Sequence, residues 1–286
     1  MSDKPAITLT SSGLRARIEP DPYQDGAFIL EVDGTPQSHV FIDDPGELFF
    51  EYIRRIGHVL DQVAEPGQPI TAVHLGGGAL TLPRYIEATR PGSRQQVIEL
   101  EQDLIDFVRE HLPLQRGANI RIRYGDARKV MGKLPTGLHG NVDVVIVDVF
   151  SGARTPAHVT SVEFYAEAAK LLSPRGVLIV NVADGPGLAF ARGQAATLQA
   201  VLPNVIALAE TQVLKGRRFG NVVLVGSGDD SIGHWLPRLL AGGPHPAKAV
   251  EGAEMKQFIA NAPIVLDSTA IPSPTPNKTL FQISKK

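Results

Sequence analysis

Short apolar runs alternate with helical patterns along most of the chain from residue 70 onward. The apolar runs span residues 70–75, 97–98, 120–122, 142–149, 176–182, 205–208 and 222–225. The segments between them, at residues 80–88, 104–112, 162–172 and 188–202, repeat apolar positions as amphipathic helices do. Buried strands that alternate with helices predict an α/β fold with a doubly wound, mostly parallel sheet.

The last two of these strands are connected differently. Only residues 210–220 separate them, and no helical pattern lies in that gap. A short connection joins antiparallel neighbours, whereas parallel strands need a longer crossover. The pattern therefore predicts an antiparallel hairpin at the sheet edge, which is the Rossmann-like arrangement of class I methyltransferase-type folds.

The first 45 residues have a strand-and-turn pattern. An apolar run at residues 28–32 is followed by Asp33-Gly34, a strong hairpin signal, and residues 40–42 form the returning strand. A helical pattern then begins at Asp44-Pro45 and continues to Val63. This predicts a small N-terminal β-hairpin appendage that leads into a long helix.

Three regions follow from these patterns. Residues 1–45 form the β appendage, residues 46–242 form the Rossmann-like domain, and residues 243–286 form a C-terminal tail with one helix at 253–260. Pro272, Pro274 and Pro276 near the end predict an extended strap or a partly ordered terminus.

Composition excludes several function classes. The 286 residues include 43% hydrophobic and 20% charged residues, with a net charge of −2 and no cysteine. Scattered basic residues argue against nucleic-acid binding, and no apolar stretch is long enough to span a membrane. The absence of cysteine and of an apolar signal core favours a soluble, cytoplasmic protein. Eight histidines show no short-range ligand spacing, so no metal is expected.

Candidate chemistry lies at the ends of the predicted strands. The turn Gly76-Gly77-Gly78 follows the first parallel strand, and Glu99 ends the second one about 20 residues later. A glycine turn allows close backbone approach to a ligand, and an acid at the second position can accept both hydroxyls of a ribose. Glu101 is expected to belong to a solvated acidic turn.

The next two strands end in acids as well. Asp126, before Ala127, can accept a hydrogen bond from an adenine amino group, and Asp148 ends the central strand beside the crevice where such sheets bind ligands. Four signals in this order predict a nucleoside site at the carboxyl edge of the sheet.

Several segments resemble the spermidine synthase (polyamine aminopropyltransferase) family. They are VHLGGGALTLPRYI, VIELEQDLIDFV, RYGDARKVM, VDVVIVDVFSGARTPAHVTSVEFYAEAAKLLSPRGVLIVNV and FILEVDGTPQSHVFIDDPGELFFEYI, and the likeness covers about residues 14–226. It implies a homodimer that uses decarboxylated S-adenosylmethionine. By position, the resemblance implies that Glu99 holds the ribose, Asp126 holds the adenine, Asp148 deprotonates the attacking amine and Gln37 lies near the cofactor.

The amine-binding half departs from the family pattern. The family usually has an aspartate directly after its glycine turn, where this chain has Ala79, and its second amine-binding aspartate is Ser151, after Val149-Phe150. A tyrosine with histidine or glutamine in the first helix is replaced by Phe49-Phe50, and the glutamine after the fifth strand is Asn181. Because a buried ammonium without a carboxylate costs several kcal/mol, these changes favour an acceptor with less positive charge than putrescine.

The leading hypothesis is an aminopropyltransferase-like enzyme that transfers a propylamine group to a small-molecule amine acceptor. A methyltransferase that uses intact S-adenosylmethionine on the same fold is one alternative. A non-catalytic nucleoside-binding homologue is the other. The basic turn Lys215-Gly216-Arg217-Arg218 is most simply a solvated turn, although it could steer an acidic acceptor.

Overall fold

The computed structural model describes residues 5–275. The strands are β1 Ala6–Thr8, β2 Arg15–Pro20, β3 Ala27–Val32, β4 Thr35–Phe41, β5 Thr71–Leu75, β6 Arg94–Glu99, β7 Ile120–Tyr124, β8 Val142–Val147, β9 Leu172–Asp184, β10 Asn204–Glu210, β11 Gly220–Ser227 and β12 Ala247–Val250. The helices are α1 Glu51–Val63, α2 Thr81–Thr89, α3 Gln102–His111, α4 Ala127–Met131, α5 Val162–Ala169, α6 Ala189–Gln199, α7 Thr211–Leu214, α8 Leu236–Gly242 and α9 Gly252–Ile259.

The strands form two sheets. β1 to β4 make a four-stranded antiparallel sheet in sequential order. The large sheet has the order β12-β10-β11-β9-β8-β5-β6-β7, with parallel pairing from β9 to β7. The predicted α/β fold with a mostly parallel sheet and an N-terminal β appendage is therefore confirmed.

Helices cover both faces of the large sheet, because its central strands are apolar on both sides. On one face, α1 and α2 pack against residues such as Val144 and Ile146 of β8. On the other face, α5, α6 and α9 enclose Val145 and Val147 of the same strand. The consecutive residues of β8 thus serve two separate cores, which fixes the strand in the middle of the molecule.

The antiparallel pair β10–β11 differs from the prediction in two respects. It is not at the sheet edge, because β12 pairs with β10 on the outside. The gap between its strands contains the short helix α7, whose first turn is capped by the Glu210 side chain through the backbone N–H of Val213. A four-residue helix is too short to leave a hydrophobic period in the sequence.

Helix α1 begins later than expected, at Glu51 rather than at Asp44-Pro45. The Asp44 side chain accepts a hydrogen bond from the backbone N–H of Gly46, and its carbonyl accepts one from Glu47. An aspartate that bonds the chain two residues ahead stabilises a turn instead of a helix. Residues 44–50 therefore turn the chain before the helix starts.

After α9 the chain runs as an extended strap across the outer helices. Val265 accepts a hydrogen bond from the backbone N–H of Val162 and donates one to the hydroxyl of Thr197. Further along, Ser273 is buried and bonds Thr155 through both backbone and side chain. Pro276, the last proline of the predicted tail, lies outside the described residues. Within residues 5–275, no helix has both the length and the apolar character needed to cross a bilayer.

Candidate functional site

Four predicted site positions converge at the carboxyl edge of the large sheet. Gly76 follows β5, Glu99 ends β6, Asp126 follows β7 and Asp148 follows β8. All four line one cavity, the glycine-turn cavity, together with Gln37 from the N-terminal sheet. Parallel strands bring their carboxyl ends to the same edge, which is why the strand-end residues Gly76 and Asp148, 72 positions apart in sequence, meet here.

Two residues of the glycine turn have no room for a side chain. Gly76 has φ +94°, and a Cβ there would lie 2.2 Å from the carbonyl oxygen of Asp148. A Cβ on Gly78 would lie 2.6 Å from the hydroxyl of Ser38. Both contacts are closer than real Cβ atoms allow, so glycine is needed for β8 and the N-terminal sheet to reach the turn.

Glu99 is held in place by backbone donors. Its Oε2 accepts the N–H of Gly77 at 2.7 Å, and its Oε1 accepts the N–H of Glu101 at 3.0 Å. Each carboxylate oxygen can accept a second hydrogen bond, so the anchored carboxylate can still receive hydroxyl donors from the cavity. The geometry suits a vicinal diol.

Glu101 is not in a solvated turn, so that prediction is wrong. It is 7% exposed, lines the cavity and accepts the N–H of Ser11 at 3.2 Å. The N-terminal segment covers it, which is a long-range contact that strand alternation does not reveal.

Asp126 has two partners. Its Oδ1 accepts the N–H of Lys129 at 3.0 Å and caps α4, and its Oδ2 lies 2.6 Å from Nε2 of His158. Burial opposes ionisation here, but these hydrogen bonds lower the pKa of Asp126 below its ordinary value. His158 therefore closes the side of the cavity where Asp126 and Ala127 lie.

Asp148 is the carboxylate with the most altered acidity among these residues. Burial raises its pKa to about 6, although Asn181 Nδ2 donates to its Oδ1 at 2.8 Å and works in the opposite direction. The amide of Asn181 is fixed in turn, because its Oδ1 accepts from Asn221 Nδ2 at 3.0 Å. An aspartate with this pKa is mostly ionised at pH 7 and can still take up a proton.

A second cavity, called here the aromatic cavity, adjoins the first and is lined by Asn181, the hydrogen-bond donor to Asp148. It shares Gln37, Tyr52, Phe150 and Gly152 with the first cavity. Its further lining includes Phe50, Phe219, Asn181, Asn221, Arg55 and Arg218. Gln37 donates from Nε2 to the carbonyl of Gly152 at 3.0 Å, which ties the N-terminal sheet to the loop after β8 at the junction of the two cavities.

The remaining residues predicted to bind the acceptor lie in three different places. Phe50, Phe150 and Asn181 line the aromatic cavity, whereas Ser151 lines the glycine-turn cavity and forms a bridge with Arg154. Phe49 lines neither cavity and instead stacks on His39 with ring centroids 4.3 Å apart.

Sequence reasoning did not find Tyr52, Arg55 or Asn221. Burial raises the pKa of the Tyr52 phenol, and the nearby Asp148 carboxylate raises it further. Arg55 lies three residues after Tyr52, on the apolar stripe that also contains Ile56. A charged residue on a buried helix face was the one available signal. Residues 5–275 contain no group of three His, Asp or Glu side chains placed to hold a metal ion.

Comparison with known proteins agrees with this geometry. The chain is 30% identical to a probable spermidine synthase from Corynebacterium glutamicum, and the two structures superpose with a TM-score of 0.82. The superposition covers 93% of this chain and 97% of that one. The chain belongs to the spermidine synthase family. A spermidine synthase from Thermotoga maritima is 16% identical with a TM-score of 0.54, over 78% of this chain and 73% of that one, which shows the shared fold alone.

Likeness to curated members of the spermidine synthase family is more limited. The chain is 30% identical over 135 residues to a polyamine aminopropyltransferase from Vibrio vulnificus, which is 47% of this chain and 44% of that protein. It is also 29% identical over 150 residues to a polyamine aminopropyltransferase from Neisseria meningitidis serogroup A. That match covers 51% of this chain and 54% of that protein. The chain thus spans about half the length of the curated relatives it matches. No family model matches the sequence.

Proposed function

We propose that this chain transfers an aminopropyl group from decarboxylated S-adenosylmethionine to a small amine. The observation that carries the proposal is Asp148, a carboxylate with a pKa of about 6 that lines the nucleoside-type cavity and accepts a hydrogen bond from Asn181 in the wall of the aromatic cavity. A donor in the first cavity and an acceptor in the second would meet at this residue.

The glycine-turn cavity suits the nucleoside part of the donor. Glu99 would accept the ribose hydroxyls, and Asp126 with Ala127 would contact the adenine. The turn from Gly76 to Gly78 would let the backbone approach the sulfonium side, and Gln37 would lie near the aminopropyl end. Pre-anchored groups of this kind lose little freedom on binding, which favours affinity.

The aromatic cavity would hold the amine. Asp148 accepts a proton from the acceptor ammonium, and the free amine nitrogen attacks the methylene carbon bonded to the donor sulfur. The C–N bond forms as the C–S bond breaks, and the bonding pair goes to sulfur, which gives methylthioadenosine and the aminopropylated amine. The enzyme supplies orientation and a base, since the sulfonium is already a good leaving group.

Methyl transfer is the second candidate, because of the residue after the glycine turn. Ala79 is fully buried and uncharged, so it offers nothing to the donor's primary ammonium group. A donor that keeps its carboxylate would not depend on an acid at that position. Methyl transfer would leave S-adenosylhomocysteine instead of methylthioadenosine.

Calorimetry with both donors, followed by analysis of products with a mixed pool of amines, separates these functions. We expect tighter binding of decarboxylated S-adenosylmethionine and release of methylthioadenosine that stops in Asp148→Asn. Preference for intact S-adenosylmethionine with formation of S-adenosylhomocysteine would instead establish methyl transfer. Binding of methylthioadenosine without any turnover would contradict both enzymatic functions.

A further inference from the structure

A buried arginine lies in the wall of the aromatic cavity. Arg55 is 4% exposed, and its Nη2 has no hydrogen-bond partner among the described residues. Its ion-pair contact, Oε2 of Glu51, is 3.8 Å away on a side chain that is 59% exposed. A buried charge that is neither hydrogen-bonded nor closely paired is costly, so its presence in a cavity wall requires an explanation.

The other buried arginines of the described chain show how such a group is normally satisfied. Arg90 donates to five backbone carbonyls, at Leu60, Asp61, Ala64, Glu65 and Gln68. Arg84 donates to three, at Ala79, Leu112 and Pro113. These two arginines hold the fold together. Within residues 5–275 Arg55 has no comparable set of acceptors, and burial lowers its pKa despite the nearby carboxylates of Glu51 and Glu210.

The carboxylates near Arg55 are poorly placed to hold a second ammonium group of an acceptor. Oε2 of Glu210 accepts the N–H of Val213 at 3.2 Å and Nε of Arg218 at 2.9 Å, so it already caps α7 and pairs with a cation. Glu51 extends into solvent. The charged lining of the aromatic cavity is therefore two acids and two arginines, Glu51, Glu210, Arg55 and Arg218.

The turn that contributes Arg218 to the cavity lining carries further positive charge. Lys215 and Arg217 are exposed on this same turn. A cluster of exposed cations beside a partly enclosed cavity raises the local concentration of anions. The basic turn and the buried guanidinium thus favour the same ligand charge.

We propose that Arg55 binds a carboxylate on the acceptor, so that the acceptor is a short amino-carboxylate, with its amine at Asp148 and its acid at Arg55, and not a polyamine. This inference rests on the proposed function for the role of the amine. The apolar body of such a molecule would lie against Phe50, Tyr52 and Phe150. A planar guanidinium matches a carboxylate with two parallel hydrogen bonds.

Calorimetry on protein saturated with methylthioadenosine tests the inference without requiring turnover. The ligands are matched sets that differ only at the far end: ω-amino acids of three to six carbons, the diamines and the monoamines of equal length. We expect at least one amino acid to bind tenfold or more tightly than its diamine. Arg55→Gln should remove that preference and Arg55→Lys should retain part of it, while Arg54→Gln, which changes the exposed neighbour on α1, should leave it intact.

Each outcome decides the point. Equal or tighter binding of the diamines, or an unchanged preference in a folded Arg55→Gln protein, would overturn the inference. If Arg55→Gln does not fold, the ranking of ligands by the natural protein is decisive. The donor is then added. Amino-acid binding without aminopropyl transfer would support the carboxylate site and refute the proposed activity, whereas transfer to diamines alone would do the reverse.

Discussion

Replacing Asp148 with asparagine should make the stability of the folded protein, relative to the natural protein, rise with pH while abolishing turnover. Burial raises the pKa of Asp148 from the ordinary value of 3.8 to about 6. The unfolded chain therefore loses this proton at lower pH than the folded protein does. Between pH 4 and pH 6 the folded state binds more protons at this group, so the group's contribution to stability falls as pH rises and stays low above pH 6.

The magnitude follows from that difference. The pKa values of Asp148 in the folded and unfolded states differ by about two units, which corresponds to about 3 kcal/mol of stability. A small part of this loss of stability is already present at pH 4, so about 2 kcal/mol develops between pH 4 and pH 7. Asparagine does not titrate. The free energy of unfolding of Asp148→Asn relative to the natural protein should therefore increase by about 2 kcal/mol over this range. All other carboxylates are common to both proteins, so their contributions to the pH dependence cancel in the difference.

Urea denaturation of both proteins at pH 4, 5, 6 and 7 measures this difference directly. Asp106→Asn, an exposed aspartate on α3, is the matched control and should show the pH dependence of the natural protein. A stability difference between Asp148→Asn and the natural protein that stays constant with pH, or decreases as pH rises, would refute the argument that burial of Asp148 raises its pKa. The proposed base would then lack its physical support.

Two further predictions concern binding and assembly. Glu99→Gln should weaken methylthioadenosine binding by about 1–3 kcal/mol in calorimetry, because charge-assisted hydrogen bonds are lost. The control Glu110→Gln, at an exposed position on α3, should bind methylthioadenosine as the natural protein does. Unchanged affinity in Glu99→Gln would contradict the assignment of Glu99 to the ribose. Light scattering should show a homodimer at micromolar concentration, since the small N-terminal sheet presents strand edges that favour pairing; a monomer at all concentrations would contradict this.

The sequence predicted the large sheet well where its strands are continuous and apolar. β5, β8 and β9 are buried on both faces, and such runs are visible without any knowledge of the fold. β12 was not predicted, because Ala247–Val250 is short and only Val250 is buried. Its strand conformation is stabilised by pairing with β10, which no local pattern specifies.

The candidate site could be predicted as far as it depends on strand ends. Gly76, Glu99, Asp126 and Asp148 each follow a recognisable strand, so topology alone brings them together. Glu101 was misjudged because its burial comes from Ser11, a residue 90 positions earlier. Arg55 was missed for a related reason. Only the three-dimensional structure shows that no acceptor among residues 5–275 reaches its Nη2.

The two cavities differ in most of their lining residues, and this separation has an evolutionary consequence. The glycine-turn cavity depends on the ends of β5 to β8, where a Cβ at Gly76 would collide with the backbone of Asp148. The aromatic cavity is lined by parts of β4, α1, β9 and residues 218–221, together with the loop after β8, and four of the described residues border both cavities. Substitutions at positions that line the aromatic cavity alone can accumulate without changing the lining of the nucleoside half. A lineage can therefore exchange one acceptor for another while keeping its donor, and protein engineers can vary the same positions for the same purpose.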